Sequence, residues 1–190
     1  MRFEEFDFGV TWIVHSEIYS DDRGEFKETL RRDKFHNLTG LDFRVEQTSS
    51  STSSLGVLRG IHYSVSKLGQ AKWVSCLRGK IKDYVVDLRP NSPTFGNWNS
   101  TILSAANGKS LIIQTGIGHA FEALEDDSIV SYSLTSSYDP ATEMTISPFD
   151  DRLSIPWHFE IPKVSDRDKN APTLMEQISK GNLPTGNVGL

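Results

Sequence analysis

The chain has one cysteine, Cys76, in 190 residues, so no internal disulfide can form and the core alone must hold the fold. It has no uninterrupted apolar run near the roughly 18 residues that suggest a membrane span. It also lacks a basic excess. Twenty Lys and Arg stand against 25 Asp and Glu, a formal charge of −5, which withholds the positive field that draws a protein to nucleic acid. Any phosphate must then be met by a few local arginines. The opening residues, MRFEEFDFGV, are acidic where an export leader would be basic and then continuously apolar. These absences argue against disulfide-stapled, membrane-inserted and nucleic-acid-binding classes, and the expectation is a cytoplasmic protein.

What is present is a globular composition, 37% hydrophobic with ten Phe and four Trp, in a chain long enough to bury roughly 70% of its unfolded surface. A single domain is expected over 1–190, with 181–190 as a loose tail. The segments LRGIHYSV, QAKWVSCLRG, IKDYVVDLRP, NWNSTILSA, SLIIQTGIGHAF and DSIVSYSLTSSY hold β-branched or aromatic residues in partial alternation. RGK, RPNSPTFG, ANGK and EDD fit the turns between them. From about Gly56 to Tyr138 this predicts antiparallel β structure, a sandwich or barrel. TSSSTSS, at 48–54, reads as an edge strand or a loop. A short helix is expected within 26–40, with Leu30, Phe35 and Leu38 apolar, and another within 171–181, opening near Pro172 and stopped by Gly181.

Two of the five histidines, His62 and His119, lie in the β region beside glycine. In GVLRGIHYS, alternation places Leu58, Gly60 and His62 on one face and Arg59 and Ile61 on the other, and a bulge at Gly60 would bring Arg59 and His62 to one pocket. A metal site fails on ligand count: Ser64 stands two residues after His62 where a second histidine is needed, no Glu follows at the right distance, and only His119 remains. Among the arginines, Arg23 and Arg59 stand beside glycines that admit a ligand to the backbone, whereas Arg78 and Arg89 read as solvated turn charges. Lys72, in the apolar run AKWVSCL, either snorkels to the surface or points into a polar cavity. Tyr132 is equally open between a core aromatic and a hydroxyl at a site.

These residues together resemble the dTDP-4-dehydrorhamnose 3,5-epimerases, sugar-nucleotide epimerases of the cupin jelly-roll class. The resemblance runs from about Ile18 to Leu174 and is carried by DDRGEFKE, GVLRGIHYS, QAKWVSCLRGKIKDYVVDLRPNSPTFGNW, GIGHAF, SYSLTSSYDPATE and VSDRDKNAPTL. It implies a mainly β fold, an antiparallel jelly-roll barrel with short flanking helices. It also implies epimerisation of a dTDP-linked 4-keto-6-deoxyhexose at C3 and C5 in rhamnose-type deoxysugar biosynthesis, without metal or other cofactor, by a homodimer.

Such chemistry needs a base on one face of the sugar ring, an acid on the other, and stabilisation of the enolate between them. The resemblance implies His62 as base, Asp168 orienting it, Tyr132 as acid, and Lys72 as the positive charge at the enolate oxygen. It implies substrate contacts from Arg23, Arg59, Glu28, Gln47, His119 and Glu143, with Tyr138 stacking on the base. Arg23 and Glu28 are expected to serve the neighbouring subunit's pocket. Three departures touch the rim. Ser49 replaces the asparagine of QxNxSxS, Gln114-Thr115-Gly116 replaces a proline-rich run before His119, and Ala141-Thr142-Glu143 stands where EHE is usual. The alternatives are an epimerase acting at one carbon only, a binding jelly roll that does not turn its ligand over, and a metal-dependent cupin enzyme.

Overall fold

The computed structural model describes residues 1–185. Fourteen strands occur among them: β1 (Arg2–Asp7), β2 (Thr11–His15), β3 (Ile18–Asp21), β4 (Gly24–Lys27), β5 (Gln47–Ser53), β6 (Val57–Ser64), β7 (Lys72–Arg78), β8 (Lys80–Asp87), β9 (Trp98–Ser104), β10 (Lys109–Ile113), β11 (Ile117–Ala123), β12 (Ser128–Leu134), β13 (Glu143–Thr145) and β14 (Lys163–Val164). Helix α1 (Arg32–Thr39) lies between β4 and β5, and α2 (Asp166–Lys169) and α3 (Leu174–Ser179) follow β14.

One sheet has the order β1-β2-β10-β7-β12-β5, the other β13-β6-β11-β8-β9. The chain passes repeatedly from one sheet to the other, which is the jelly-roll arrangement expected of this β-rich pattern. The ladders are antiparallel except for a two-residue parallel pairing of β14 with β6. Val74, Cys76, Leu111 and Val130 of the first sheet pack against Ile81, Val85, Leu103 and Phe121 of the second. These are alternate residues of their strands, so each sheet turns one face inward and the core lies between them.

The glycine-bounded turns stand where the pattern places them, and TSSSTSS is an edge strand, β5. Several expectations need correction. SLIIQTGIGHAF is not one strand but two in different sheets, broken at 114–116, where Gly116 takes φ +89°. Strand structure also begins at Arg2 rather than near Gly56. The first helix starts only at Arg32, because Phe26 belongs to the exposed β3–β4 hairpin. Of its apolar positions Phe35 is buried, while Leu38 faces solvent. The second helix ends near Gly181 as expected and is opened by Thr173, which forms a reciprocal capping box with Glu176.

Arg89 is not a solvated turn charge. It and the hydroxyls of Ser92 and Thr94 bond the fully buried carboxylate of Asp87, tying up the 89–96 turn. The tail is not loose throughout either: Leu183 is buried in the second core cluster, and the Asn182 carbonyl accepts from the Tyr63 hydroxyl at 2.8 Å. Residues 186–190 of the expected tail lie outside the described residues.

The strand pairing also supplies the bulge. His119 opposes His62 and Phe121 opposes Arg59, so two residues of β6, Gly60 and Ile61, face the single Ala120 of β11. Gly60 has φ +118°, and a Cβ there would lie 2.5 Å from the His119 carbonyl oxygen and 2.6 Å from the Ala120 Cβ. Gly60→Ala is therefore expected to destabilise the fold by about 1–3 kcal/mol through overpacking alone, read as a lowered urea midpoint. An unchanged midpoint would mean that the bulge is not held this tightly.

Candidate active site

Between the sheets a cavity of about 390 Å³ opens to the surface. Arg59, His62 and His119 reach it from the second sheet, and Gln47, Lys72 and Tyr132 from the first. Tyr138, Glu143 and Arg167 stand on its wall as well. The bulge in β6 accounts for the presence of both Arg59 and His62, which strict alternation would send to opposite faces.

His62 is the best-defined group. Its Nε2 lies 2.7 Å from Asp168 Oδ1, across 106 residues of sequence, and about a third of its side chain is exposed. Asp168 is buried on α2, where the Ser165 side chain caps the helix, and its other oxygen accepts from the Gly60 backbone N–H at 3.3 Å. Burial pushes the Asp168 carboxyl upward, but the bonds from His62, Gly60 and Ser165 outweigh it and hold the group below its ordinary value. An ionised carboxylate only accepts, so Nε2 carries the ring proton and Nδ1 keeps the lone pair. Burial also holds the His62 imidazole below its ordinary value, against the pull of Asp168. The ring is therefore neutral at pH 7, in the state that can take up a proton.

Lys72 lies on the inner face of β7 with Val74 and Cys76 and is only 8% exposed, so it points into the cavity rather than snorkelling. Its Nζ donates to the His62 carbonyl at 3.3 Å, its one hydrogen bond among the described residues. Burial lowers its pKa, with Glu143 and Asp83 opposing the shift. Tyr132 shares the inner face of β12 with Val130 and Leu134, packs its ring against the core and borders the cavity.

Residues that the sequence reading passed over line the wall or stand behind it, Asp83 being of the second kind. Asp83 is fully buried and receives the His119 Nε2 at 2.9 Å. Burial raises its pKa, while His119 and Lys72 hold it down. A signal for it was present: alternation sets Asp83 with Ile81 and Val85 on the core face, where a carboxylate needs a partner. Gln70 and Arg167 were missed too. Gln47 and Glu143 border the cavity but already hold protein groups, Gln47 accepting from the Tyr138 N–H at 2.8 Å and Glu143 from the Gln70 amide at 2.8 Å. Tyr138 is half exposed at the rim.

Arg23 and Glu28 are not brought to this cavity within the chain. Arg23 sits at the tip of the β3–β4 hairpin, paired with Asp21, and Glu28 bonds Arg31. Among the described residues no group of three or more His, Cys, Asp or Glu side chains is placed to hold a metal ion. No helix among the described residues is long and apolar enough to cross a membrane.

A family model described as dTDP-4-dehydrorhamnose 3,5-epimerase matches residues 7–176. A protein of that name from Mycolicibacterium smegmatis is 40% identical over 187 residues, covering 97% of this chain and 92% of its own. The crystal structure of a 4-keto-6-deoxy sugar epimerase from the novobiocin gene cluster of Streptomyces spheroides superposes with a TM-score of 0.94 at 39% identity, over 97% of this chain and 93% of that one. A 3'-monoepimerase from Streptomyces bikiniensis, solved in complex with dTDP-quinovose, gives a TM-score of 0.87 at 42% identity over 92% and 89%.

Proposed function

The chain belongs to the dTDP-4-dehydrorhamnose 3,5-epimerase family, and from that premise we propose that it inverts C3 and C5 of a dTDP-linked 4-keto-6-deoxyhexose in deoxysugar biosynthesis of the rhamnose type. The observation that carries this reading is the placement of His62 and Tyr132 on opposing sheets across one cavity. Inversion next to a ketone requires a proton to leave one face of the ring and another to arrive on the opposite face.

His62, held in one tautomer by Asp168, removes the proton next to the C4 ketone. The electron pair moves into the enolate, whose oxygen the buried Lys72 ammonium stabilises in a site of low dielectric. Tyr132 donates a proton to the same carbon from the other face, and an inverted centre results. The chemistry needs no metal, because Lys72 supplies the charge that a Lewis acid would. His119, held by Asp83, contacts the sugar. Arg59 meets the diphosphate, and Gln47 and Glu143 are polar contacts at the rim. Tyr138 stacks on the thymine, a contact of about 1–3 kcal/mol.

Arg23 and Glu28 serve the pocket of a second subunit in a homodimer. The reading is supported by the exposed hairpin that presents Arg23, with Tyr19 and Phe26 paired at 6.4 Å on its surface. The single buried Cys76 fits a reducing cytoplasm.

The deciding experiment is incubation with dTDP-4-keto-6-deoxyglucose in deuterium oxide. Deuterium at both C3 and C5 is the expected result, deuterium at neither would remove the enzyme reading, and deuterium at C3 alone would make the chain a 3-epimerase. The last outcome is worth naming because the 42% identical relative is a 3'-monoepimerase. The acid is tested separately. Tyr132→Phe removes only a hydroxyl, so it should still exchange the proton on the His62 side while forming inverted product about 100-fold more slowly. Near-normal turnover would leave Tyr132 a packing residue.

A further inference from the structure

The segment 135–142, which joins β12 to β13 and carries Tyr138 at its middle, is held by Gln47 at the Tyr138 N–H, by the Val65 N–H at the Thr142 carbonyl, and by the stretch Gln70–Ala71. The Ala71 N–H donates to the Thr135 hydroxyl at 2.9 Å, and the Thr135 N–H to the Ala71 carbonyl at 3.1 Å. Next to it Gln70, 6% exposed, gives its amide to the Ser136 hydroxyl at 3.2 Å and to Glu143 Oε1 at 2.8 Å. A primary amide has two hydrogens, and Gln70 spends one on each end of the segment. Glu143 and Lys72 line the same cavity, so the carboxylate attracts the ammonium.

We infer that Gln70 is a positioning residue that holds Glu143 and Ser136, keeping the Glu143 carboxylate at the rim and away from the Lys72 ammonium while fixing the segment that presents Tyr138. The inference rests on the epimerase reading for the roles of Lys72 and Tyr138. Without the amide, Glu143 is free to swing toward Lys72, and the ion pair so formed neutralises the charge meant for the enolate. The same release frees Ser136 and leaves the segment held by the Ala71–Thr135 pair, by Gln47 at Tyr138 and by Val65 at Thr142.

Gln70→Leu keeps the bulk and removes the donors. It is expected to weaken dTDP binding and to raise KM by about tenfold each, with kcat falling as well, the size of a lost bond to a charged group. Gln70→Glu supplies the readout that a packing role would not give. At high pH its carboxylate repels that of Glu143, with Lys72 and Arg167 the cations on the same cavity wall, whereas at lower pH a proton shared between the two carboxylates restores a donor where the amide stood. Its kcat/KM relative to wild type should therefore rise by about tenfold as the pH falls, while the same ratio for Gln70→Leu stays flat.

A flat ratio for Gln70→Glu, or a Gln70→Leu enzyme with wild-type dTDP affinity and KM, would overturn the inference. If Gln70→Leu does not fold, the pH ratio of the isosteric Gln70→Glu decides. Calorimetric binding of dTDP, measured in parallel over the same pH range, judges Gln70 even if the wild-type protein proves to have no turnover. That second outcome would sink the epimerase reading instead.

Discussion

His62→Ala should abolish both deuterium exchange and product formation, with kcat/KM down by about 10²–10⁴, the range a positioned general base supplies. On the proposed mechanism Tyr132→Phe separates the two half-reactions, whereas neither survives the loss of the group that would begin the sequence. Asp168→Asn tests whether His62 acts alone. The amide keeps the shape but withdraws the negative charge from the Nε2 hydrogen, freeing the ring to take the wrong tautomer, and a loss of about 100-fold or more is expected with the fold intact.

The same substitution carries a pH signature in stability. The folded pKa of Asp168 lies below its ordinary 3.8, so its ionised form contributes stability above that value and loses it as the pH falls through the folded pKa. The wild-type advantage over Asp168→Asn, measured as a urea midpoint, should be full at pH 7 and shrink below about pH 4. A gap that stays constant from neutral to acid pH would mean that the charge of Asp168 does not contribute.

On the proposed mechanism Lys72→Met should lower kcat by about 10²–10³ with little change in dTDP affinity, because the ammonium would act on charge that develops only in the transition state. Stability should move the other way. Burial depresses the Lys72 pKa beyond what Glu143 and Asp83 restore, so the charged form is a net burden on the folded state. Methionine fills similar volume without that cost, and Asp83 keeps its bond from His119. The thermal midpoint is therefore expected to hold or rise while activity collapses. A fall in both together would identify Lys72 as a structural residue.

How far the sequence reaches into this site can be seen residue by residue. The turns of the β region were legible because glycine, asparagine and proline mark them directly. Strand β1 was not, since RFEEFD carries charge on most of its positions and lies at an edge with little to bury, whereas β2, TWIVH, has the β-branched, buried pattern of the later strands and was passed over. The first helix was overdrawn because Leu38 looks like a member of an apolar face, although it is 61% exposed, and because the segment was begun at Phe26, which belongs to the β3–β4 hairpin.

Within the site, alternation identifies which residues share a face but not which strand lies opposite. That His119 pairs with His62, and that a bulge turns Arg59 to the same cavity, are properties of the ladder between β6 and β11. The family resemblance supplied Asp168, which no local pattern could connect to His62. Asp83 was passed over although alternation sets it on the core face with Ile81 and Val85, and Gln70, just before β7, carries no periodic signal at all.

The distance along the chain between His62 and Asp168 has a consequence for how the protein is made. A ribosome delivers the chain from its N-terminus, at about 5–20 residues per second. The strands of both large sheets and His62 itself therefore emerge before the carboxylate that orients the imidazole. α3 follows, seating the Gln177 amide on the Thr145 carbonyl, and Leu183 reaches the core last. A nascent chain that stops short of Ser165 carries the strands and the histidine but no oriented base, so the competent site forms only once the segment after β14 has emerged.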